Sequence, residues 1–446
     1  MDLANRLVVI VGLGRSGVAA AGLCLSRGAR VVANDAAPID KLSPEARALE
    51  ARGVRLVVGG HDHAPWDEAD LVVVSPGVPE FAALARAEAR GVEVIGEIEL
   101  GARFAKAPIA AIGGTNGKST TTSLVAAMLE ASGKRVFAGG NLGVPLCEVV
   151  GEGHDVLVLE VSSFQTERVS SFRPRAAALL NVSADHLDRH ASFEAYVEAK
   201  GNVFVRQLPG DVAVVPAGDS ACAEQAARGQ GRLVTFGKGG DVFVACGAIV
   251  DSLRGRRYSL EGFRLEGEHN LANACAAVAV AAEMGATPEG IAKALTSFEG
   301  LAHRTVFVAE IDGVRFYDDS KGTNVGASVA ALVGMREERT VLIAGGRDKL
   351  GSYEPLVDAL KQKGRALVVL GEAAERIAAS AKGAIEVVHA SSMNDAVAKA
   401  ASLAKSGDAV LLSPACSSFD MFRSYADRGD AFVRAVRDLE ARRADA

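Results

Sequence analysis

The sequence predicts an α/β protein of three successive domains, each built on a parallel sheet crossed by helices. One rhythm and two loops carry the prediction. The rhythm is a short apolar run, a turn and a helix-forming stretch, repeated from the first strand to the last. The first loop, Gly113-Gly114-Thr115-Asn116-Gly117-Lys118-Ser119, follows Ile109-Ala110-Ala111-Ile112 and carries Lys and Ser where a phosphate-binding loop needs them. The second, Gly12-Leu13-Gly14-Arg15-Ser16-Gly17, follows Leu7-Val8-Val9-Ile10-Val11 with the spacing of a dinucleotide fingerprint. With 446 residues the chain exceeds one ordinary domain. The boundaries fall at 1–106, 107–302 and 303–446, giving a Rossmann-like N-terminal domain, a central P-loop-type ATPase domain and a Rossmann-like C-terminal domain.

Composition narrows the class. Apolar residues make up 49% of the chain, enough for sizeable cores, and the formal net charge of -6 disfavours a broad nucleic-acid surface. The six cysteines are scattered and form no C-x-x-C pair, so a zinc site or redox motif is not supported and a reduced, cytoplasmic setting is expected. No basic segment and apolar core precede the first strand, so no secretory signal is expected, and no apolar run reaches the ~20 residues of a membrane helix.

In the first domain the glycine turn after Leu7–Val11 leads into an Ala-rich helix. The strand Val31-Val32-Ala33-Asn34-Asp35 then ends in an acid, about 20 residues on, where a ribose hydroxyl would be held. The motif alone suggests NAD or FAD. The physics implies only a diphosphate-bearing nucleotide near Gly12 to Gly17, bound by Asn34 or Asp35 beyond the phosphates. A further strand, Leu71 to Val74, runs into Ser75-Pro76-Gly77, and turns at the carboxyl ends of parallel strands are where ligands bind in open α/β sheets.

In the central domain the 113–119 loop would turn its backbone N–H groups onto a phosphate at a helix N-terminus, with Lys118 reaching the outer phosphates and Ser119 on Mg²⁺. The strict pattern asks for Gly at 112, where this chain has Ile. Asp155 to Glu160 reads as a strand ending in a carboxylate, either a Mg²⁺ ligand or a surface acid. Asn181-Val182-Ser183-Ala184-Asp185-His186-Leu187-Asp188-Arg189-His190 follows another strand and is a second candidate metal and substrate loop, in which His186 is a ligand or a structural histidine. Ser192 caps a helix that carries Lys200, a solvated lysine on local sequence alone. A helix beginning near Glu266 places Asn270 and Asn273 on one face, for a nucleotide or for capping.

The third domain alternates again, with right-handed crossovers expected throughout. Its strand ends carry Asp318-Asp319-Ser320-Lys321-Gly322-Thr323, Gly345-Gly346-Arg347-Asp348-Lys349 and Ser413-Pro414-Ala415-Cys416-Ser417-Ser418-Phe419-Asp420. Lysines and hydroxyls at strand ends suit a small carboxylate-bearing ligand, or are solvated loop residues.

Taken together, Gly114-Thr115-Asn116-Gly117-Lys118-Ser119, Glu160 with Ser162-Ser163-Phe164-Gln165, Asn181 to His186, His269-Asn270 to Asn273, His303-Arg304, Asp319-Ser320-Lys321 and Ser413-Pro414-Ala415 resemble the Mur ligases of peptidoglycan synthesis. The resemblance spans all three domains. It implies an ATP-dependent ligase of cell wall biogenesis that adds D-glutamate to UDP-N-acetylmuramoyl-L-alanine through an acyl phosphate, releasing ADP and phosphate. It replaces the dinucleotide of the first domain with the UDP part of the substrate, held by Ser16, Asp35, Ser75 and Gly77. It implies Gly114, Thr115, Asn116, Gly117, Lys118, Ser119, Thr120, Asn141, Asn273, Arg304 and Asp319 around ATP, and Asp185, Lys321, Thr323, Lys349, Ser418 and Phe419 around D-glutamate. Lys118, Glu160, His186 and Lys200 form the catalytic set. Two Mg²⁺ ions are implied, on Ser119, Glu160, His186 and a Lys200 that the family carbamylates. The chain departs from its relatives at Arg347, where some have an acid, and at Tyr425, often Phe.

A sister ligase or a folylpolyglutamate synthase-type enzyme adding another amino acid is the alternative within the class. The Ser-Ser-Phe-Gln run and the Rossmann-like first domain argue against both. An NAD-dependent oxidoreductase fused to a regulatory P-loop domain predicts nicotinamide binding and no ATP turnover, and a non-catalytic nucleotide-binding module needs no metal ligands. A monomer that closes its domains around the reactive intermediate is expected.

Overall fold

Strands that are apolar at every position are stable only when both faces of their sheet are covered, and all three sheets of the protein form in this way. The computed structural model describes residues 1–186, 189–265 and 267–444; Leu187, Asp188 and Glu266, quoted in the motifs above, lie outside the described residues.

The first sheet is parallel, with β1 (Leu7–Val11), β2 (Arg30–Asp35), β3 (Arg55–Val58), β4 (Leu71–Val74) and β5 (Glu93–Gly96) in the order β3-β2-β1-β4-β5. Side chains alternate across it. Val8, Ile10, Val31, Ala33, Leu71 and Val73 pack into one core, while Val9, Val11, Val32, Val72 and Val74 pack into the other.

The second sheet contains β6 (Ile109–Gly113), β7 (Val136–Gly140), β8 (Val156–Glu160), β9 (Ala176–Leu179), β10 (Val212–Pro216), β11 (Arg232–Phe236), β12 (Val242–Ala245), β13 (Ala248–Asp251) and β14 (Arg256–Ser259). Their order is β14-β13-β12-β11-β10-β9-β6-β8-β7. The pairs from β7 to β12 are parallel, and β12-β13-β14 closes the edge as an antiparallel meander.

The third sheet runs β15-β16-β20-β17-β18-β19, from β15 (Val306–Ile311), β16 (Val314–Asp318), β17 (Thr340–Gly345), β18 (Gly364–Leu370), β19 (Glu386–His389) and β20 (Ala409–Leu412). It departs from strict alternation. β15 and β16 form an antiparallel hairpin, with Ile311 opposite Val314. The two turn residues, Asp312 and Gly313, both have positive φ, 52° and 75°, which matches the right-handed twist of the strands they join.

Two compact units result. One comprises Met1–Val182, Glu194–Phe263 and Ala272–Phe298 and holds the first two sheets; the other comprises Ser183–Phe193, Arg264–Leu271 and Glu299–Ala446 and holds the third. Within the first unit the two sheets are tied by the helix Glu97–Phe104. The Glu99 carboxylate, fully buried, accepts the N–H groups of Ser170 (3.1 Å), Ser171 (3.0 Å) and Phe172 (2.9 Å) and pairs with Arg103 at 2.7 Å. Glu97 Oε1 accepts the Cys147 N–H at 2.7 Å, while Oε2 is buried and finds no hydrogen-bond partner among the described residues. No helix among the described residues is long and apolar enough to cross a membrane. All six cysteines are free thiols, and only Cys246 is exposed.

Candidate active site

In the second sheet β6 lies between β8 and β9, so its carboxyl end is flanked by both of theirs. The loop there breaks from the strand at Gly114 (φ 142°) and enters the helix Lys118–Ala131 through Gly117 (φ 84°). The residue at its N-cap position is Gly117, which has no side chain to cap it, and such a glycine-led helix N-terminus is the kind that receives an anion. A Cβ on Gly117 would overlap the Asn273 amide, so the loop and the helix Glu268–Glu283 meet only because residue 117 is glycine. Asn273 is thus a loop contact within its helix, and not a cap. Lys118 donates to the carbonyls of Gly114 (3.0 Å) and Thr115 (2.8 Å). Lys200, 4% exposed, donates to the same Gly114 carbonyl at 2.8 Å.

Glu160, at the end of β8, is 2% exposed and opposite Gly140 in register. Its Oε1 accepts the Asn141 amide at 2.6 Å, and its carbonyl accepts the Asn141 N–H at 2.9 Å. The structure therefore brings together two residues that the sequence marks separately. It also adds two that were not marked as site residues. Asn181 accepts the Asn116 N–H on Oδ1 at 2.9 Å and donates Nδ2 to the Asn116 carbonyl at 3.1 Å, and its own carbonyl accepts the Thr115 N–H. The buried Tyr196 sets its hydroxyl 3.0 Å from that of Thr115, and its ring lies 4.5 Å from the Lys200 ammonium. The signal for Tyr196 was its position four residues before Lys200 on one helical face.

In the first sheet β1 sits between β2 and β4, the topological switch point at which ligands bind. Gly12 (φ 83°) opens the turn there. A Cβ on Gly17 would overlap the Gly12 carbonyl, and Ser75 donates its hydroxyl to that carbonyl at 2.7 Å. Ser16 lies in the first turn of the helix Arg15–Ser26, which also has no side-chain cap, and Gly77 is exposed beyond Ser75. Asp35 accepts the N–H groups of Leu13 (2.6 Å) and Ala37 (2.8 Å). Asn34 is buried and spent inside the fold. Its amide donates to the carbonyls of Val57 and Gly60, both at 2.8 Å, and its oxygen faces His61 Nδ1 at 2.6 Å. Of the two residues left open by the sequence, Asp35 is the one that contacts the glycine turn, through Leu13.

The second unit gathers its own set. Asp185 contacts Lys349 at 3.0 Å and Asn324 at 3.1 Å. Burial pushes its carboxyl up, but Lys349, His186 and the hydrogen bonds outweigh this and hold it below the usual range. His186, with φ 55°, sets Nε2 3.7 Å from Asp185. The loop of clustered acids and histidines thus turns Asp185 onto a lysine and an amide. Lys321 lies 3.8 Å over the Tyr425 ring, a cation–π contact that Tyr supports as well as Phe. Thr323 folds its N–H onto the Lys321 carbonyl at 2.8 Å; Ser418 is buried and Phe419 is exposed. Asp319 accepts the Ser413 hydroxyl at 2.6 Å and the Thr305 N–H at 3.2 Å. Burial lifts its carboxyl to about 7 against the pull of Ser413, Arg304 and Thr305. Thr305 holds φ at 51°, an outlier for a β-branched residue, and Asp319 receives both its N–H and its hydroxyl there.

Two nucleotide-type loops at switch points, and a third sheet with lysines at its strand ends, define a nucleotide-dependent ligase class. Family models match each part: Mur ligase MurD-like, N-terminal domain over residues 6–96, Mur ligase middle domain over 112–281, and Mur ligase, glutamate ligase domain over 303–416. The chain belongs to the Mur ligase family. Similar curated relatives include the UDP-N-acetylmuramoylalanine--D-glutamate ligase of Geotalea daltonii, 44% identical over 98% of this chain and 99% of that one. The enzyme of the same name from Desulfosudis oleivorans is 43% identical over 99% and 98%. Within the family, the chain groups with these D-glutamate-adding ligases. In fold it is similar to a pseudomurein peptide ligase type C from Methanothermus fervidus (TM-score 0.64, 19% identity, 98% and 100% covered). It is also similar in fold to the UDP-N-acetylmuramate-alanine ligase of Thermotoga maritima (0.61, 21%, 98% and 100%).

Proposed function

We infer that the protein is an ATP-dependent, amide-bond-forming ligase that joins D-glutamate to UDP-N-acetylmuramoyl-L-alanine in peptidoglycan synthesis. Full-length similarity to ligases of that name carries the substrates. The glycine-broken loop that turns into the helix at Lys118, together with the ligase family, supports the use of ATP. The L-alanine carboxylate attacks the γ-phosphorus of ATP, the β–γ bridging bond breaks, and ADP leaves an acyl phosphate. The D-glutamate amine attacks the acyl carbon, a tetrahedral adduct forms, and phosphate departs with the C–O electron pair as the amine loses its proton. Carboxylate is a poor electrophile, and phosphorylation supplies its leaving group.

The roles proposed follow the geometry of each unit. Lys118, now satisfied by two loop carbonyls, exchanges them for the β- and γ-phosphates when ATP binds. Gly114 to Thr120, Asn141 and Asn273 surround the nucleotide, and Arg304 and Asp319 are proposed as further ATP contacts. Ser16, Asp35, Ser75 and Gly77 take the UDP part. Asp185, Lys321, Thr323, Lys349, Ser418 and Phe419 take D-glutamate. Mg²⁺ is implied by the family, and the donors fit a hard cation: a buried hydroxyl at Ser119 and a buried carboxylate at Glu160 whose orientation Asn141 fixes. Those two would hold one ion, which supplies charge neutralisation on the phosphates. His186 is proposed as a ligand of a second. Lys200, if carbamylated, becomes an anionic oxygen donor, detectable as the added mass of one CO₂ on its peptide. We also propose three domains at 1–106, 107–302 and 303–446, a monomer and a cytoplasmic location.

The test is phosphate release with Mg-ATP, UDP-N-acetylmuramoyl-L-alanine and one amino acid at a time. Release with D-glutamate alone is expected. Release with L-lysine or meso-diaminopimelate instead overturns the substrate.

A further inference from the structure

We propose that Arg168 is a positioning residue for the UDP-linked substrate, holding the Ser75–Phe81 loop to the ATP-binding sheet. The role rests on the reading that the Gly12 turn and Ser75–Gly77 receive the UDP part.

The loop between β4 and the helix Ala82–Ala89 is held at both ends. Ser75 bonds the Gly12 carbonyl, and Phe81 stacks on His61 with ring centroids 4.0 Å apart. Both of those partners lie in loops that follow strands of the first sheet. An ionic anchor comes from the segment between β8 and β9 of the second sheet. Arg168 pairs with Glu80, in the loop itself, and with Glu88 at 2.6 Å, on the helix that follows.

Arg168 is well placed to transmit position. β8 ends at Glu160, and Ser162 then caps the short helix Ser163–Thr166 in a reciprocal box with Gln165. The chain is fastened again just beyond. The Arg168 carbonyl accepts the Gly96 N–H at 2.9 Å, and Glu99 clamps Ser170, Ser171 and Phe172. The guanidinium therefore leaves a backbone fixed on both sides, and its side chain is only 16% exposed. An isolated exposed ion pair contributes little, but here one planar fork is shared by two carboxylates from an anchored backbone, so less order is lost in forming it. Attack on the γ-phosphate needs the substrate carboxylate aligned with the ATP loop, and small displacements are costly. Arg168 thus gives an ionic link from the segment after Glu160 to the loop after β4.

The experiment compares full-length wild type with Arg168→Ala, Arg168→Lys and Glu80→Gln. The expected result for Arg168→Ala is a rise of roughly fivefold in KM for UDP-N-acetylmuramoyl-L-alanine, with KM for ATP unchanged, the scale of one broken ion-pair network. Arg168→Lys recovers part of the loss. Glu80→Gln, on an exposed side chain that tolerates change, moves the same KM in the same direction, and the double variant is less than additive. An unchanged KM for the UDP-linked substrate in Arg168→Ala, or equal losses for both substrates, overturns the role. If wild type fails to bind the UDP-linked substrate by calorimetry, the functional reading itself falls and takes this role with it; normal wild-type binding with an unaffected Arg168→Ala removes this role alone.

Discussion

Asn34 and Asp35 are neighbours on one strand, and their chemistry separates completely. Both Asn34 amide hydrogens go to carbonyls, so its oxygen must accept, and His61 must carry its proton on Nδ1. Replacing Asn34 with Leu leaves the buried Val57 carbonyl, and the half-buried Gly60 carbonyl and His61 imidazole, without this partner. We expect a loss of roughly 2–4 kcal/mol, read as a lower urea midpoint. Asp35→Asn should instead keep the fold largely intact and weaken UDP binding, as calorimetry with UDP would show. The sequence presented the two residues as equivalent candidates, because a side chain's partners on the next strand and loop are not local information. Glycine was more legible: Gly12, Gly17, Gly114 and Gly117 stood out in the sequence, and the structure shows close backbone approach or positive φ at each.

At the scale of elements, the helix Glu97–Phe104 drew no reading from the sequence, since nothing local marks the two acids in its first turn as buried. Both are buried, and their partners are remote in sequence: the Cys147 N–H for Glu97, the 170–172 backbone for Glu99. Burial lifts the Glu97 carboxyl from 4.5 to about 7, against the pull of the Cys147 N–H. The folded protein then keeps a proton that the unfolded chain gives up near the ordinary value. The contribution of Glu97 to stability is therefore greatest below about 4.5, falls as pH rises to about 7, and is level above. Glu97→Gln cannot ionise and should lose that slope, becoming more stable than wild type at pH 8 by up to about 3 kcal/mol. Chemical denaturation at pH 5 and pH 8 checks this, and a wild-type-minus-variant difference independent of pH refutes it. The hairpin β15–β16, by contrast, was legible and missed. Asp312-Gly313 between alternating apolar residues is a strong hairpin signal, and the run of β-α units around it drew the reading toward a crossover.

At the scale of the whole molecule, the three sheets were readable because their central strands, such as Leu7–Val11, Leu71–Val74, Ile109–Gly113 and Ala409–Leu412, are apolar on both faces, a property each strand carries by itself. The merging of the first two sheets into one unit was not, because it rests on Glu97, Glu99 and Arg168 meeting backbone and carboxylates far along the chain. That union has a consequence for ligand binding. The Gly12 turn, proposed for UDP, and the Gly113–Ser119 loop, proposed for ATP, follow strands of different sheets within one unit, and each turns on its own glycines into its own helix. A ligand that binds only the folded state raises stability by about 2.7 kcal/mol at one hundred times its dissociation constant. UDP and Mg-ATP should therefore each raise the melting temperature of wild type, whereas Lys118→Ala should lose the ATP shift and keep the UDP shift. Lys118 also braces the Gly114 and Thr115 carbonyls in the free protein, so the ligand-free melt of the variant is measured alongside. A variant that melts like wild type without ligand and loses only the ATP shift fits a lysine that serves the phosphates. Loss of the UDP shift as well would mean that the two loops are not independent, and the division of substrates between the first and second sheets would then be wrong.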